Sequence, residues 1–216
     1  MSTIDPAAAP ASSRSERVHA AILGAAEEVF LRDGYVGSSM DEVARISGSS
    51  KQTVYKHFGN KEQLFEVLVS SMTDDTGAPV GHETPGVAGD VGTNLTDLAV
   101  AMLDAVLTPR ILRLRRLVIG EANRFPDLGR ALFEHGPERA IAGVQRRLAG
   151  WVAAGVLPAH DTLVAARHYN WLVMGGPLNA AMLLGDGAIP SPAERRAHAQ
   201  AAVTAFLRSI GHPSAT

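Results

Sequence analysis

The chain has 216 residues, 46% hydrophobic and 19% charged, which is the make-up of a folded globular protein with a substantial core. It contains no cysteine, which excludes a disulfide scaffold, a thiolate metal site and cysteine catalysis. A formal net charge of −2 supplies no general field for nucleic acid, so any basic footprint must be local.

Residues 1–13 (MSTIDPAAAPASS) are rich in Ala, Pro and Ser and lack the basic start and apolar core of a secretory signal, so they read as a disordered lead. The first helix is expected over residues 14–32, with Val18, Ile22, Ala25, Ala26, Val29 and Phe30 as its apolar stripe. Asp33-Gly34 stops it and Tyr35 follows in the loop. Arg14 and Arg17 at its free end can reach a phosphate or stay solvated.

Residues 39–61 predict two short helices around a tight turn. Met40, Val43 and Ala44 recur at helical spacing behind a Ser39 cap, with Glu42 placed for a capping box. Gly48 ends this helix, because glycine tolerates the left-handed conformation of a helix stop. Ser49 and Ser50 offer hydroxyls to a second helix, Lys51–Phe58, whose only inward seam is Val54 and Phe58. Lys51, Gln52, Thr53, Tyr55, Lys56 and His57 remain on its other faces. Lysine and glutamine suit base edges in a major groove, while hydroxyls, imidazole and lysine suit phosphate oxygens. The spacing alone fits both a DNA-reading helix-turn-helix and a solvated helical hairpin.

The run SMDEVARISGSSKQTVYKHFGNKEQLF resembles the DNA-binding segment of the TetR family of bacterial transcriptional regulators. The likeness rests on Ser39, Val43-Ala44, Gly48, Ser50-Lys51, Thr53, Tyr55, His57-Phe58, Lys61-Glu62 and Leu64-Phe65. Ser49 stands where the family usually carries an apolar residue. The resemblance implies an all-α fold, with a three-helix DNA-binding head over residues 14–60 and a helical regulatory body over residues 61–216. It also implies Ser39, Thr53, His57 and Lys61 at phosphates, with Ser50, Lys51, Gln52, Tyr55 and Lys56 on the rest of the DNA-binding surface. Its partners would be double-stranded operator DNA, a small-molecule effector and a second copy of the chain; no cofactor is implied.

A further helix is expected over residues 61–72, with Glu62 at its positive end and Leu64, Phe65, Leu68 and Met72 inward. Residues 74–90 read as a breaker-rich linker, and His82-Glu83 within it lacks a third metal ligand. Helices then follow over residues 94–107 and, from Pro109, over residues 111–124. Arg113, Arg115 and Arg116 are expected on the wet side of the second. Phe125-Pro126-Asp127 breaks the pattern, and Pro137 opens another helix to about residue 154. The segment RRLVIGEANRFPDLGRALFEHGP is similar to the C-terminal domain of one TetR subgroup.

The last two helices, 161–184 and 192–210, are rich in Ala and Gly, and Ala197, Ala201 and Ala205 form one stripe for close helix approach. The spacing fits intramolecular core and a contact between copies equally; the family resemblance implies dimerisation through these two helices. Large side chains near helix breaks are the expected effector lining: Met102, Asn123, Phe125, Phe133, Trp151, Trp171 and Met174, which points to an apolar or aromatic ligand. No apolar run reaches a membrane span, and the expected residence is cytoplasmic. No hydrolase, nucleotide-binding or zinc-protease motif appears, so an enzyme and a DNA-free interaction module stand as the alternatives to a regulator.

Overall fold

The computed structural model describes residues 13–77 and 90–211, and the regular structure among them is helical. Residues 1–12 and 78–89, the latter with His82 and Glu83, lie outside the described residues, as do 212–216. The chain divides into two compact units, Met1–Leu68 and Val69–Thr216.

In the first unit, α1 (Arg14–Gly37) opens on a capping box that lies just before the expected start. Ser13 Oγ accepts the Glu16 amide at 3.2 Å and the Glu16 carboxylate accepts the Ser13 amide at 2.6 Å. The expected stop is present at Gly34, where φ is +75°, a value that suits a residue without Cβ. One more turn follows, and it buries Tyr35 instead of leaving it in an open loop. Then come α2 (Met40–Ser47), α3 (Lys51–Phe58) and the opening turns of α4 (Lys61–Gly77).

Phe65 of α4 meets the rings of Phe30 (5.1 Å, 89°) and Tyr35 (5.4 Å, 81°) edge-on. Such pairs add roughly 0.5–1.5 kcal/mol each beyond area burial. Leu64 and Leu68 are buried beside it in sequence. The start of α4 is therefore part of the first unit, and the boundary falls after Leu68, where the sequence suggested residue 60. α4 also runs on to Gly77, into residues expected to be linker.

The second unit contains α5 (Val91–Val106), α6 (Pro109–Glu121), α7 (Pro126–Phe133), α8 (Arg139–Ala153), α9 (Thr162–Leu184) and α10 (Pro192–Ser209). α5 packs on α10 and α8 on α9, around fully buried Leu95, Leu103, Leu112, Val144, Tyr169 and Phe206. Tyr169 Oη donates to the Leu95 carbonyl at 2.6 Å, which satisfies a phenol that burial would otherwise strand. α5 starts at Val91, earlier than the apolar pattern suggests, because Asp90 caps it through the Thr93 amide at 2.8 Å. α6 ends at Glu121, short of the expected 124.

Pro137 does not open a new helix. It lies inside a π-helical segment, Glu134–Glu138, that joins α7 to α8 without a break. A proline has no N–H for the carbonyl four residues back, and the wider i→i+5 pattern pairs that carbonyl with the next amide along.

The three arginines of α6 that the sequence places on its wet side, Arg113, Arg115 and Arg116, have three different fates. Arg113 is exposed, as expected. Arg116 is not on a wet face: its Nη2 donates to the Ala181 carbonyl at 2.7 Å, its Nε to Met182 at 3.4 Å and its Nη1 to Asp186 Oδ1 at 3.0 Å. A cation there suits the negative end of α9. Arg115 is half-buried, and its Nε has neither exposure nor a hydrogen-bond partner.

Candidate nucleic-acid interface

The turn between α2 and α3 is built from local bonds. Ser39 Oγ accepts the Glu42 amide at 3.2 Å, but the expected reciprocal bond is absent from the cap. The Glu42 carboxylate instead takes Arg45 at 2.8 Å and Arg32 of α1 at 3.3 Å, because charged donors outcompete a backbone amide. These arginines hold the Glu42 carboxyl below its ordinary value, Arg45 foremost.

α2 ends at Gly48 with φ +66° and ψ +18°. The Ser49 amide reaches back to the Ala44 carbonyl at 3.1 Å and the Gly48 amide to Arg45 at 3.4 Å, the paired bonds of a Schellman stop. Ser50, and not Ser49, caps α3: its Oγ accepts the Thr53 amide at 3.1 Å and lies 2.8 Å from the Thr53 hydroxyl. Asn60 Oδ1 accepts the Gln63 amide at 2.8 Å and starts α4, a role that an Asn two residues after the aromatic Phe58 signals to a reader looking for caps.

α3 buries only Val54 and Phe58. Lys51, Gln52, Tyr55 and Lys56 are exposed, and Thr53 and His57 are half-buried. The His57 ring lies 6.2 Å from Phe58 and 6.1 Å from His19 of α1, and His19 itself stacks on Phe58 at 4.7 Å. Lys51 pairs with Asp41 of α2 across an exposed contact that exchanges at little cost. Lys61 Nζ donates to the Ser38 carbonyl at 2.9 Å and stands 4.6 Å over the Tyr35 ring. The ammonium is thereby held at the residue before the Ser39 cap. One helix end, one helix face and one tethered cation thus present base-edge donors and phosphate donors together.

The expected effector residues separate into two groups. Met102, Trp151 and Met174 are buried in the core of the second unit, and Phe125 is half-buried with the Arg124 guanidinium 5.3 Å from its ring centre. Asn123 is exposed, and Phe133 and Trp171 are 53% and 64% exposed, so these three do not line an interior site of the protomer. Trp171 lies on α9 with exposed Val164, Leu172, Leu183 and Leu184. On α10, Ala197, Ala201 and Ala205 are exposed too, while Ala199, Ala202, Val203, Phe206 and Leu207 make the intramolecular contact. The alanine stripe is therefore not protomer core. Among the described residues no group of three or more His, Cys, Asp or Glu is placed to hold a metal, and no helix is long and apolar enough to cross a membrane.

A helix-turn-helix head on a helical body defines a DNA-binding transcriptional regulator. Residues 22–68 match the model for bacterial regulatory proteins of the tetR family, and residues 93–210 match that for the C-terminal domain of AefR-like transcriptional repressors. A DNA-binding transcriptional repressor TetR of Mycobacteroides abscessus is 33% identical over 190 residues, 79% of this chain and 90% of the relative. Among solved structures, a chain from Mesorhizobium loti assigned to the TetR family is 36% identical with a TM-score of 0.80, over 92% of this chain and 98% of that one. A flavonoid-responsive regulator, FrrA, is 28% identical with a TM-score of 0.77, over 90% and 97%. The chain belongs to the TetR family of transcriptional regulators.

Proposed function

We propose that the chain represses transcription by binding a palindromic operator as a homodimer, and that a small apolar or aromatic effector in the second unit releases it. The observation that carries the DNA half is α3, a helix with two buried residues and an exposed face of Lys51, Gln52, Tyr55 and Lys56. Such a helix contributes little core and offers donors to both bases and phosphates. The repressor reading draws on relatives that carry that name.

Dimerisation through α9 and α10 is supported by the exposed apolar side chains of one and the exposed alanines of the other. It also answers a need: one short helix spans a few base pairs, and two half-sites about a helical turn apart supply the rest. Effector release is supported by the flavonoid-responsive neighbour, and Met102, Trp151, Met174 and Phe125 are the candidate lining. A protein reading the chromosome would work in the bacterial cytoplasm.

The test is a mobility shift with the DNA upstream of the chain's own coding region against random duplex of equal length. Retention of the upstream fragment under excess random competitor is the expected result. Equal competition by both duplexes would sink operator recognition and favour an interaction module.

A further inference from the structure

His19 of α1 and His57 of α3 come together beside the last turn of the reading helix. Their ring centres are 6.1 Å apart, and both residues are half-buried. His19 stacks on Phe58 at 4.7 Å and 29°, and Phe58 is itself buried, so a fixed ring sets the plane of the outer one. Stacking occupies the face of the His19 ring and leaves its edge, where the nitrogens are, for a further partner. Neither imidazole has a hydrogen-bond or carboxylate partner among the described residues, and none of their ring nitrogens is sealed from solvent. By contrast, His160 and His198 each engage a backbone carbonyl through a ring nitrogen.

We infer that His19 is a contact to the DNA backbone, and that its imidazole and that of His57 hold two oxygens of one phosphate between them. The inference rests on the DNA-binding reading of α3 above, in which His57 is expected at a phosphate, and it adds α1 to the surface that touches DNA. His19 lies ahead of the matched residues 22–68, so the family match assigns it no role. Neutral and protonated imidazole alike carry an N–H, so each ring brings a donor. Donors that reach oxygen at about 2.8 Å from rings at this separation converge on a group of phosphate size, whose unesterified oxygens are both acceptors. One phosphate gripped from two helices fixes α1 and α3 on the duplex together. Such a contact positions the head and reads no base.

The test measures the full chain on a random duplex and on a duplex that the wild type selects from a random pool. His19→Phe keeps a ring against Phe58 and removes the N–H. It should bind both duplexes roughly five- to tenfold more weakly, at a thermal midpoint similar to that of the wild type. His19→Gln keeps an N–H donor and should return to within about threefold of the wild type. Where His19→Phe does not fold, His19→Met serves for the same comparison. Ethylation interference on the selected duplex should show one phosphate whose ethylation matters less to His19→Phe, and less to His57→Phe, than to the wild type. Wild-type affinity in His19→Phe, a loss confined to the selected duplex, or relief at different phosphates in the two variants overturns the inference. A wild type that binds neither duplex sinks the DNA-binding reading along with it.

Discussion

His198 of α10 donates its Nε2–H to the Val173 carbonyl of α9 at 2.8 Å, and that carbonyl is the one Pro177 leaves without a helical partner. A carbonyl only accepts, so the bond fixes the Nε2–H tautomer of the imidazole. It also explains how a proline sits inside a 23-residue helix. His198→Ala should destabilise the fold by about 1–3 kcal/mol, the cost of a stranded buried acceptor. In a Pro177→Ala background the cost should shrink, because the restored N–H takes the carbonyl back. Urea denaturation of the four proteins reads the coupling, and equal costs in both backgrounds would break the link between the two residues.

Base reading by α3 is tested one side chain at a time. Lys51 and Gln52 stand at the exposed N-terminal end of the helix, the end that goes deepest in this motif. Lys51→Ala and Gln52→Ala should each cost roughly 1–3 kcal/mol at one base position, guanine for the first and adenine for the second. A base-substitution scan that leaves the preference unchanged argues that α3 is placed differently.

Lys61 is expected at a phosphate instead. Its tether to the Ser38 carbonyl holds the cation at the start of α2, beside the Ser39 cap. Lys61→Ala should weaken specific and random duplexes alike and lower the salt slope by about one unit. Loss confined to the specific duplex would show that Lys61 touches a base.

The exposed stripe on α10 predicts the assembly. Ala201→Arg places a long cation where helices of two copies would approach closely, away from the intramolecular face at Ala202 and Phe206. Sedimentation should show a folded monomer with reduced operator affinity. An unchanged dimer would move the interface elsewhere.

Acid sensitivity of the head follows from Glu42. Its carboxyl is held below 4.5 by Arg45 and then Arg32, so its contribution is full above the unfolded value and lost as pH falls through the lowered folded one. Glu42→Gln should therefore flatten the stability curve below about pH 4.5 while leaving its shape near neutrality alone. Parallel acid limbs for the two proteins would assign that limb to other carboxylates.

The head was legible because its signals are local. Ser39, Gly48 and Ser50 act within five residues of themselves, and Val54 and Phe58 leave only one way to turn α3 inward. Glu42 matches the capping-box pattern, but Arg45 one turn on and Arg32 of α1 compete for the same carboxylate, and the pattern takes no account of either. The body resisted for the same reason on a larger scale. Periodicity places Arg113, Arg115 and Arg116 on one helix, but which of them meets the end of α9 depends on residues 65 to 70 positions away. Size alone does not separate Phe133 and Trp171, which are exposed, from Trp151, which is buried, because a large apolar side chain serves a surface between copies as readily as a core. A proline at the position of Pro137 more often starts a helix, and a π-helical segment such as Glu134–Glu138 leaves no simple mark in sequence.

The guanidinium of Arg116 has one more consequence, at the far end of α9. The last turn of that helix ends in Leu183 and Leu184, 80% and 77% exposed, and an unsupported final turn is where helices fray. Bonds to the Ala181 and Met182 carbonyls close that turn within the single chain. Its conformational entropy is thus given up during folding and not during association. Two leucines on a loose end would have to be ordered each time they met an apolar surface; here they are presented already stiff, which favours whatever docks on them by the freedom it no longer has to remove.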